Sequence, residues 1–193
     1  MKFNLIITGI GGQGILTLGS IIAEAALLEG YEVKTAELHG LSQRGGHTEM
    51  HVRFGEKIYS PLVRQGNANL IISLELLESL RACYYASKEK TKFLINNYKI
   101  PPLSLYLEKT SYPEIEEIKE MLKNFSSKFE IIDTQKVVKN LVLSNVYLLG
   151  YAIKNAYLPL TKENAWNAIV KVIGARKSEA IEINKQVFEK AFE

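Results

Sequence analysis

Short apolar runs alternate with longer amphipathic stretches along the first 140 residues. Runs of about five residues rich in Val, Ile and Leu predict buried strands, whereas stretches with apolar residues at i, i+3 and i+4 predict helices. The predicted strands cover residues 3–7, 32–37, 47–54, 57–59, 69–74, 92–96 and 129–133. The predicted helices cover residues 15–29, 76–86, 114–123, 145–156 and 162–173, with a last helix after Ser178.

This order of elements predicts an α/β fold. A strand, a helix and a second strand within the first 40 residues favour a right-handed parallel crossover. We therefore expect a three-layer, Rossmann-like mixed sheet that is mostly parallel, with an antiparallel hairpin at residues 47–59 and C-terminal helices packed on it. Residues 1–193 are expected to form a single domain, with an α/β core over residues 1–140 and a helical segment over residues 141–193.

Proline and N-cap residues indicate where several helices and strands are expected to begin or end. Pro113 suits the first position of the helix that follows it, and Ser144, Thr161 and Ser178 are possible N-caps. Pro101 and Pro102 exclude a helix at that point, and an alternation beyond them indicates a possible edge strand at Leu103, Leu105 and Leu107.

The predicted strand over residues 47–54 alternates cleanly between apolar and polar side chains. Its apolar side carries Thr48, Met50, Val52 and Phe54, and its polar side carries His47, Glu49, His51 and Arg53. We expect the polar side to face solvent or a partner. Side chains two residues apart on a strand are about 6.6 Å apart, so His47 and His51 are about 13 Å apart and a shared metal ion is not expected.

A glycine-rich turn joins the first strand to the first helix. Gly9, Gly11 and Gly14 have the G-x-G-x-x-G spacing that dinucleotide-binding turns use, and the helix start offers free N–H groups and a favourable dipole to an anion. Glu37, 23 residues beyond Gly14, could then hold a ribose. The alternative is that the glycines only permit a close turn and that Glu37 is an ordinary carboxylate at a strand end.

A second polar loop, residues 38–46, follows the second strand. Because ligands bind at the carboxyl ends of parallel strands, both loops are expected on one rim. A guanidinium and glycine N–H groups suit phosphate or carboxylate. The candidate cofactor-binding residues are Gly9, Gly11, Gly12, Gln13, Gly14, His39, Ser42, Gln43, Arg44, Gly45 and Gly46.

Composition narrows the classes of function. The net charge of +3 is small and the lysines are scattered, which argues against a nucleic-acid-binding protein, and no apolar run is long enough to span a membrane. We expect a cytoplasmic protein. The single cysteine, Cys83, is expected to be a buried thiol, since a cysteine-ligated iron–sulfur cluster normally needs four. No residue pattern typical of a catalytic centre is found, so no catalytic residues and no metal site are assigned.

The two glycine loops together resemble a known family. Residues 9–14 and 37–46 resemble the gamma-subunit family of 2-oxoacid:ferredoxin oxidoreductases, and most of all its small (beta) indolepyruvate subunits. The resemblance extends over nearly the full length, with residues 97–128 matching least. Further matches are His51-Val52-Arg53, Tyr59-Ser60-Pro61-Leu62, Asn145-Val146, Leu148-Leu149-Gly150, Asn184 and Phe188.

The resemblance implies a subunit that is inactive alone. A large partner subunit would hold thiamine diphosphate and the iron–sulfur clusters, coenzyme A would be the cosubstrate, and electrons would leave through ferredoxin. It further implies that Gln13, Gln43 and Arg44 contact coenzyme A phosphates or the partner's cofactor site. Leu41-Ser42 stands where many relatives have Met-Ala, so the identity of the oxoacid stays open.

Two other hypotheses remain. The G-x-G-x-x-G spacing and Glu37 favour an independent Rossmann-like nucleotide-binding module, and the polar strand side over residues 47–53 favours a stand-alone interaction domain. A homodimer of the isolated chain is also possible.

Overall fold

The protein folds around one six-stranded mixed sheet. This computed structural model describes residues 1–40, 45–102, 105, 107, 109, 111–138, 140–174 and 178–193. The strands are β1 (Lys2–Ile10), β2 (Glu32–His39), β3 (His47–Gly55), β4 (Leu70–Ser73), β5 (Lys92–Asn96) and β6 (Lys128–Ile132). The helices are α1 (Ile15–Leu28), α2 (Glu78–Arg81), α3 (Ile115–Lys123), α4 (Ser144–Lys154), α5 (Lys162–Gly174) and α6 (Ile181–Lys190). Short 3₁₀ turns occupy Ala82–Tyr85, Thr134–Lys136, Leu141–Leu143 and Ser178–Ala180.

The strand order in the sheet is β2-β3-β1-β4-β5-β6. Strands β1, β4, β5 and β6 are parallel, whereas β3 lies antiparallel between β1 and β2. The predicted mixed, mostly parallel sheet is thus confirmed. The predicted hairpin at residues 47–59 was wrong. Residues 57–59 form no strand, and β3 pairs with β1 and β2 instead. The Ile58 N–H donates to the Glu32 carboxylate, which holds this segment against the sheet.

The two faces of the sheet bury different cores. Alternate residues such as Leu5 and Ile7 of β1 pack against α1, α4, α5 and α6. Ile6, on the opposite face, packs against the segment after β4 and against α3. The C-terminal helices therefore cover one face together with α1, and an additional contact joins Lys171 of α5 to Glu24 of α1 at 2.5 Å.

The polar side of β3 corrects an expectation. Glu49 and His51 are 5% and 1% exposed, because the segment from Val63 to Ala68 and the turn at Tyr85 cover them. The alternation predicted the sides of the strand correctly but not what covers the polar side, since the covering residues come from elsewhere in the chain.

Several expected element ends also differ. Leu105 and Leu107 have helical backbone rather than forming an edge strand, and Leu103 lies outside the described residues. Helix α3 begins at Ile115, with Glu114 as its N-cap in a capping box with Glu117, so Pro113 does not have the first helical position. Thr161 caps α5 as predicted, since its hydroxyl accepts from the Asn164 N–H at 3.2 Å. By contrast, the N-caps of α4 and α6 are Leu143 and Ala180, so Ser144 and Ser178 do not have that position.

Within the part of the chain that the structure describes, every helix is too short or too polar to cross a lipid bilayer.

Candidate functional site

The glycine turn between β1 and α1 leaves the start of α1 open. Gly12 and Gly14 have φ values of 105° and 82°, which L side chains rarely adopt, so the turn depends on glycine at both positions. Gly14 is the N-cap of α1 and provides no side-chain cap, and the first turn of the helix contains no acidic residue. The first N–H groups of a 14-residue helix thus lie where an anion is favoured.

The side chain of Gln13 braces this turn from within. Its Oε1 accepts from the Ile10 N–H at 2.7 Å, and its Nε2 donates to the Leu74 carbonyl at 2.9 Å. Both ends of the amide are therefore used by the protein itself. This arrangement makes Gln13 a residue that shapes the turn and ties it to the end of β4.

Two glycines of the turn between β1 and α1, Gly9 and Gly14, have no room for a side chain. A Cβ on Gly9 would lie 2.7 Å from Gln13 Oε1, and one on Gly14 would lie 2.5 Å from Asn145 Nδ2. Asn145, in the first turn of α4, donates from Nδ2 to the Gly14 carbonyl at 3.2 Å. The C-terminal helices therefore help to fix the beginning of α1.

The second glycine loop returns to the first, as predicted. The Gly11 N–H donates to the Gly46 carbonyl at 2.8 Å, and the Gly45 N–H lies 3.5 Å from the Gly11 carbonyl oxygen. The two loops therefore meet on one rim, at the carboxyl ends of β1 and β2. Ser42, Gln43 and Arg44 lie outside the described residues.

Three adjoining cavities surround the glycine turn. The first, of about 530 Å³, lies against the start of α1 and is lined by Gly11, Gly12, Gly14, Ile15, Leu16, Thr17, His39, Thr48 and Val142. A second, of about 230 Å³, lies at the ends of β4 and β5 beside Gln13. A third, of about 450 Å³, runs between the start of α1 and helices α5 and α6.

Val142 borders all three cavities and is 55% exposed. Sequence reasoning missed it, and also missed Thr17 and Thr48. The glycine spacing draws attention to the turn itself, but it carries no signal for residues that tertiary packing brings beside it. His39, by contrast, was predicted and lines the largest cavity, where its exposed ring lies 3.1 Å from the Gly40 carbonyl oxygen.

On the opposite face of the same rim lies a group of buried carboxylates, Glu49, Glu75 and Glu78, which we call the carboxylate cluster. All three are at most 5% exposed. Glu49 accepts from Tyr85 at 2.8 Å and lies 3.0 Å from His51 Nε2. Because the Val63 N–H donates to His51 Nδ1 at 3.0 Å, His51 carries its proton on Nε2 and donates it to Glu49.

Glu75 and Glu78 are linked through the backbone. Glu75 accepts from Tyr112, at 2.6 Å, and from the Ile100 N–H, and its second oxygen accepts from the Glu78 N–H at 2.9 Å. Burial raises the pKa of Glu75, although these hydrogen bonds oppose the shift. Burial and the hydrogen bond to Glu75 also raise the pKa of Tyr112.

His47 bridges two members of the cluster. Its Nδ1 lies 2.5 Å from Glu78 Oε2, and its Nε2 lies 4.0 Å from Glu49 Oε2. The hydrogen bond to Glu78 raises the pKa of His47, and partial burial opposes this. Among the described residues, no group of three His, Cys, Asp or Glu side chains has an arrangement that could hold a metal ion.

Cys83 is 5% exposed, as the sequence predicted, and its thiol points to the Ser79 carbonyl at 3.5 Å. Burial raises the pKa of this thiol to about 12, so it stays protonated at neutral pH and is a poor nucleophile.

The topology does not favour the ribose role of Glu37. In the doubly wound nucleotide-binding fold the second strand lies directly beside the first. Here β3 stands between β1 and β2, so that Glu37 is about 10 Å to the side of β1, which is two strand spacings.

Comparisons with known proteins identify the family to which this chain belongs. The family model described as pyruvate ferredoxin/flavodoxin oxidoreductase matches residues 4–193. Indolepyruvate oxidoreductase subunit IorB of Thermococcus kodakarensis is 36% identical over 192 residues, covering 97% of this chain and 93% of the relative.

Two solved structures have the same fold. Pyruvate oxidoreductase subunit PORC of Thermotoga maritima superposes with a TM-score of 0.71 at 18% identity, covering 99% of this chain and 95% of that one. 2-Oxoglutarate:ferredoxin oxidoreductase of Magnetococcus marinus has a TM-score of 0.71 at 16% identity, and the match covers 98% of this chain but only 30% of that chain. With a family model that spans almost every residue, this chain belongs to the pyruvate ferredoxin/flavodoxin oxidoreductase family.

Proposed function

We propose that this chain is the small, non-autonomous subunit of a 2-oxoacid:ferredoxin oxidoreductase that acts on an indolepyruvate-like substrate and yields an acyl-coenzyme A. The single observation that carries the proposal is the near full-length match to an IorB subunit, at 36% identity. The oxoacid itself is chosen on that likeness alone.

The chemistry of the chain supports a dependent role. Its one cysteine is buried with a raised pKa, and the described residues offer no metal-binding group of three. Thiamine diphosphate and iron–sulfur clusters would be held by a large partner subunit, and ferredoxin would take the electrons there. In the Magnetococcus marinus enzyme, this fold makes up 30% of a longer chain, which is consistent with a unit that works beside others.

The rim is proposed to receive the phosphates of coenzyme A. The 530 Å³ cavity is lined by the open start of α1, the backbone of Gly12 and the ring of His39. Gly9, Gly11, Gly14, Gly45 and Gly46 would permit the close approach, Gln13 would hold the turn in shape, and Ser42, Gln43 and Arg44 would add donors. The Magnetococcus marinus structure was solved with coenzyme A bound, which supports this choice of anion.

The dependent role is tested by co-purification from the native host. We expect a large subunit that contains thiamine diphosphate and iron–sulfur clusters to accompany this chain, and the isolated chain to show no oxoacid oxidation. An isolated chain that turned over oxoacids, or a preparation without such a partner, would refute the proposal. The isolated chain, measured separately, would report whether it forms a homodimer and whether it unfolds as the single domain that we propose.

The anion site is tested by a charge change in the first turn of α1. Thr17 lines the largest cavity at the third position of the helix, so Thr17→Asp would bring a carboxylate to the proposed phosphate position. We expect coenzyme A binding to the complex to weaken about tenfold or more, because like charges repel in a partly desolvated site. The control, Thr17→Asn, has the same shape without the charge and should bind nearly as the wild type does. Equal affinities of both variants, measured by calorimetry, would place the phosphates elsewhere.

A further inference from the structure

The glycine turn and the carboxylate cluster are connected by consecutive residues. Gly46 accepts the Gly11 N–H at 2.8 Å on one face of the rim, and the side chain of His47 points into the cluster on the other. His47 is also the first residue of β3, opposite Ile10 of β1. A shift of His47 would therefore move the carbonyl that holds Gly11.

Two buried carboxylates meet at His47. The Glu49 and Glu78 side chains are each 6% exposed, whereas that of His47 is 36% exposed. The other groups that face this pair are Arg81, with Nε 3.3 Å from Glu78 Oε1, together with His51 and Tyr85 on Glu49 and Glu75 on the Glu78 backbone. Because the Val63 N–H donates to His51 Nδ1, the remaining basic side chains that face the pair among the described residues are those of His47 and Arg81.

Carboxylates that are removed from water need a counter-charge or a proton. A neutral imidazole can donate from one nitrogen only, and it cannot balance two carboxylates. The imidazolium has N–H groups on both nitrogens: its Nδ1 lies within hydrogen-bond distance of Glu78 Oε2, and its Nε2 lies at the ion-pair distance of 4.0 Å from Glu49 Oε2.

We propose that His47 is a positioning residue of the anion site, which as the imidazolium links Glu78 to Glu49 and thereby holds Gly46 against Gly11. The inference rests on the proposed function of the rim, and it makes the anion site dependent on the protonation of His47. When His47 loses its proton, the link to Glu49 is lost, the two carboxylates repel each other, and the contact between the loops loosens.

The direction of the pH effect follows from the hydrogen bond to Glu78, which raises the pKa of His47 above its ordinary value of 6.5. The contact is therefore complete at pH 6 and weakens as the pH rises through the pKa of folded His47. Arg81 acts in the opposite direction, because its charge lowers that pKa.

Amide hydrogen exchange at Gly11 in the full chain tests this without any ligand. We expect the protection of Gly11 to fall at least severalfold between pH 6 and pH 9 in the wild type, after correction for intrinsic exchange, and to be low and independent of pH in His47→Asn. Arg81→Gln keeps the His47–Glu78 pair and should move the transition to higher pH. Should His47→Asn fail to fold, the opposite shifts expected for Arg81→Gln and Glu78→Gln still decide the matter. A Gly11 protection that is the same at all pH values in the wild type would overturn the proposal.

A second measurement separates this inference from the function on which it rests. Coenzyme A affinity of the assembled complex is followed over the same pH range in the wild type and His47→Asn. We expect the ratio of the two affinities to be largest at pH 6 and to approach one at pH 9, a trend in which the titration of coenzyme A itself cancels. A constant ratio would contradict the role of His47. Absence of coenzyme A binding in the wild type would instead refute the proposed anion site, while the Gly11 exchange would still test the positioning role.

Discussion

The two faces of the sheet differ sharply where β1 and β3 meet the rim. On the face that α1 covers, glycine, threonine and backbone N–H groups surround open cavities, and acidic side chains are absent from the first turn of the helix. On the other face, three carboxylates are buried and engaged by tyrosine, histidine and backbone donors. An open neutral region thus lies back to back with a closed charged one. The first is the region that we propose accepts an anion, and the second encloses acidic side chains.

The largest effect should come from adding a methyl group on the open face. Gly14→Ala combines a strained φ of 82° with a Cβ 2.5 Å from Asn145, whereas Gly12→Ala has a strained φ of 105° but open space. We expect losses in the free energy of unfolding of about 2–3 kcal/mol for Gly14→Ala and about 1–2 kcal/mol for Gly12→Ala. Urea denaturation of both variants provides the comparison. Equal losses would mean that Asn145 yields freely and does not fix the start of α1.

The closed face is tested by removing one hydroxyl. Tyr112→Phe deprives Glu75 of its 2.6 Å hydrogen bond and the Leu77 N–H of its acceptor. We expect a loss of about 1.5 kcal/mol, since partners are left unsatisfied in a buried place. Tyr147→Phe is the matched control, because the structure gives the Tyr147 hydroxyl no hydrogen-bond partner among the described residues, and its effect should be near zero. Thermal unfolding of the two variants would contradict the assignment if they changed stability alike.

Protonation of His47 should stabilise the folded protein. Because its folded pKa is raised above 6.5, its contribution to stability is complete below that value and is lost as the pH rises through the folded pKa. The expected change is less than about 1 kcal/mol, since a third of the side chain is exposed and solvent screens the pair. Urea midpoints at pH 6 and pH 9 measure it, with His47→Asn as the reference. A wild type that gained stability over this range relative to His47→Asn would reverse the sign and contradict the assignment.

The smallest effect should be at Cys83, which packs in the same core as α3, behind the carboxylate cluster. A thiol that is 5% exposed and has a pKa raised to about 12 should react with a thiol reagent only as fast as the protein unfolds. Labelling followed by mass spectrometry, with and without urea, gives the rate. Fast labelling of the native chain would show that this core opens far more readily than its burial implies.

The sequence predicted those parts of the fold that depend on neighbours along the chain. Strand β5 begins and ends as expected, and α1 and the glycine turn need only a local apolar period and a few glycines. The insertion of β3 between β1 and β2 was not predicted, because a strand pattern does not specify its partner. The position of the two glycine loops on one rim was predicted, since the carboxyl ends of parallel strands share a rim, whereas their backbone hydrogen bonds were not.

The carboxylate cluster was not recognised from the sequence. Glu49 and His51 were assigned to an exposed face, and Glu75 and Glu78 carried no signal, because His47 and Glu78 are 31 positions apart and only the packing of α2 on the sheet joins them. From the sequence alone, a glutamate in an apolar stretch that is exposed to solvent cannot be distinguished from one that another segment of the chain covers. The single-domain organisation over residues 1–193 and the binding roles of the rim residues remain predictions.

The hydrogen bond between Asn145 and the Gly14 carbonyl has a consequence for any shortened form of this protein. A chain that stopped at residue 140 would keep all six strands, α1 and both glycine loops, and by its sequence it would still carry the whole motif. It would lack the Asn145 amide, which reaches across 131 positions to Gly14, the last residue of the turn. We therefore expect the smallest fragment that forms the rim as it stands in the full chain to be longer than the smallest fragment that contains the motif, because α4 supports the turn as the glycines do.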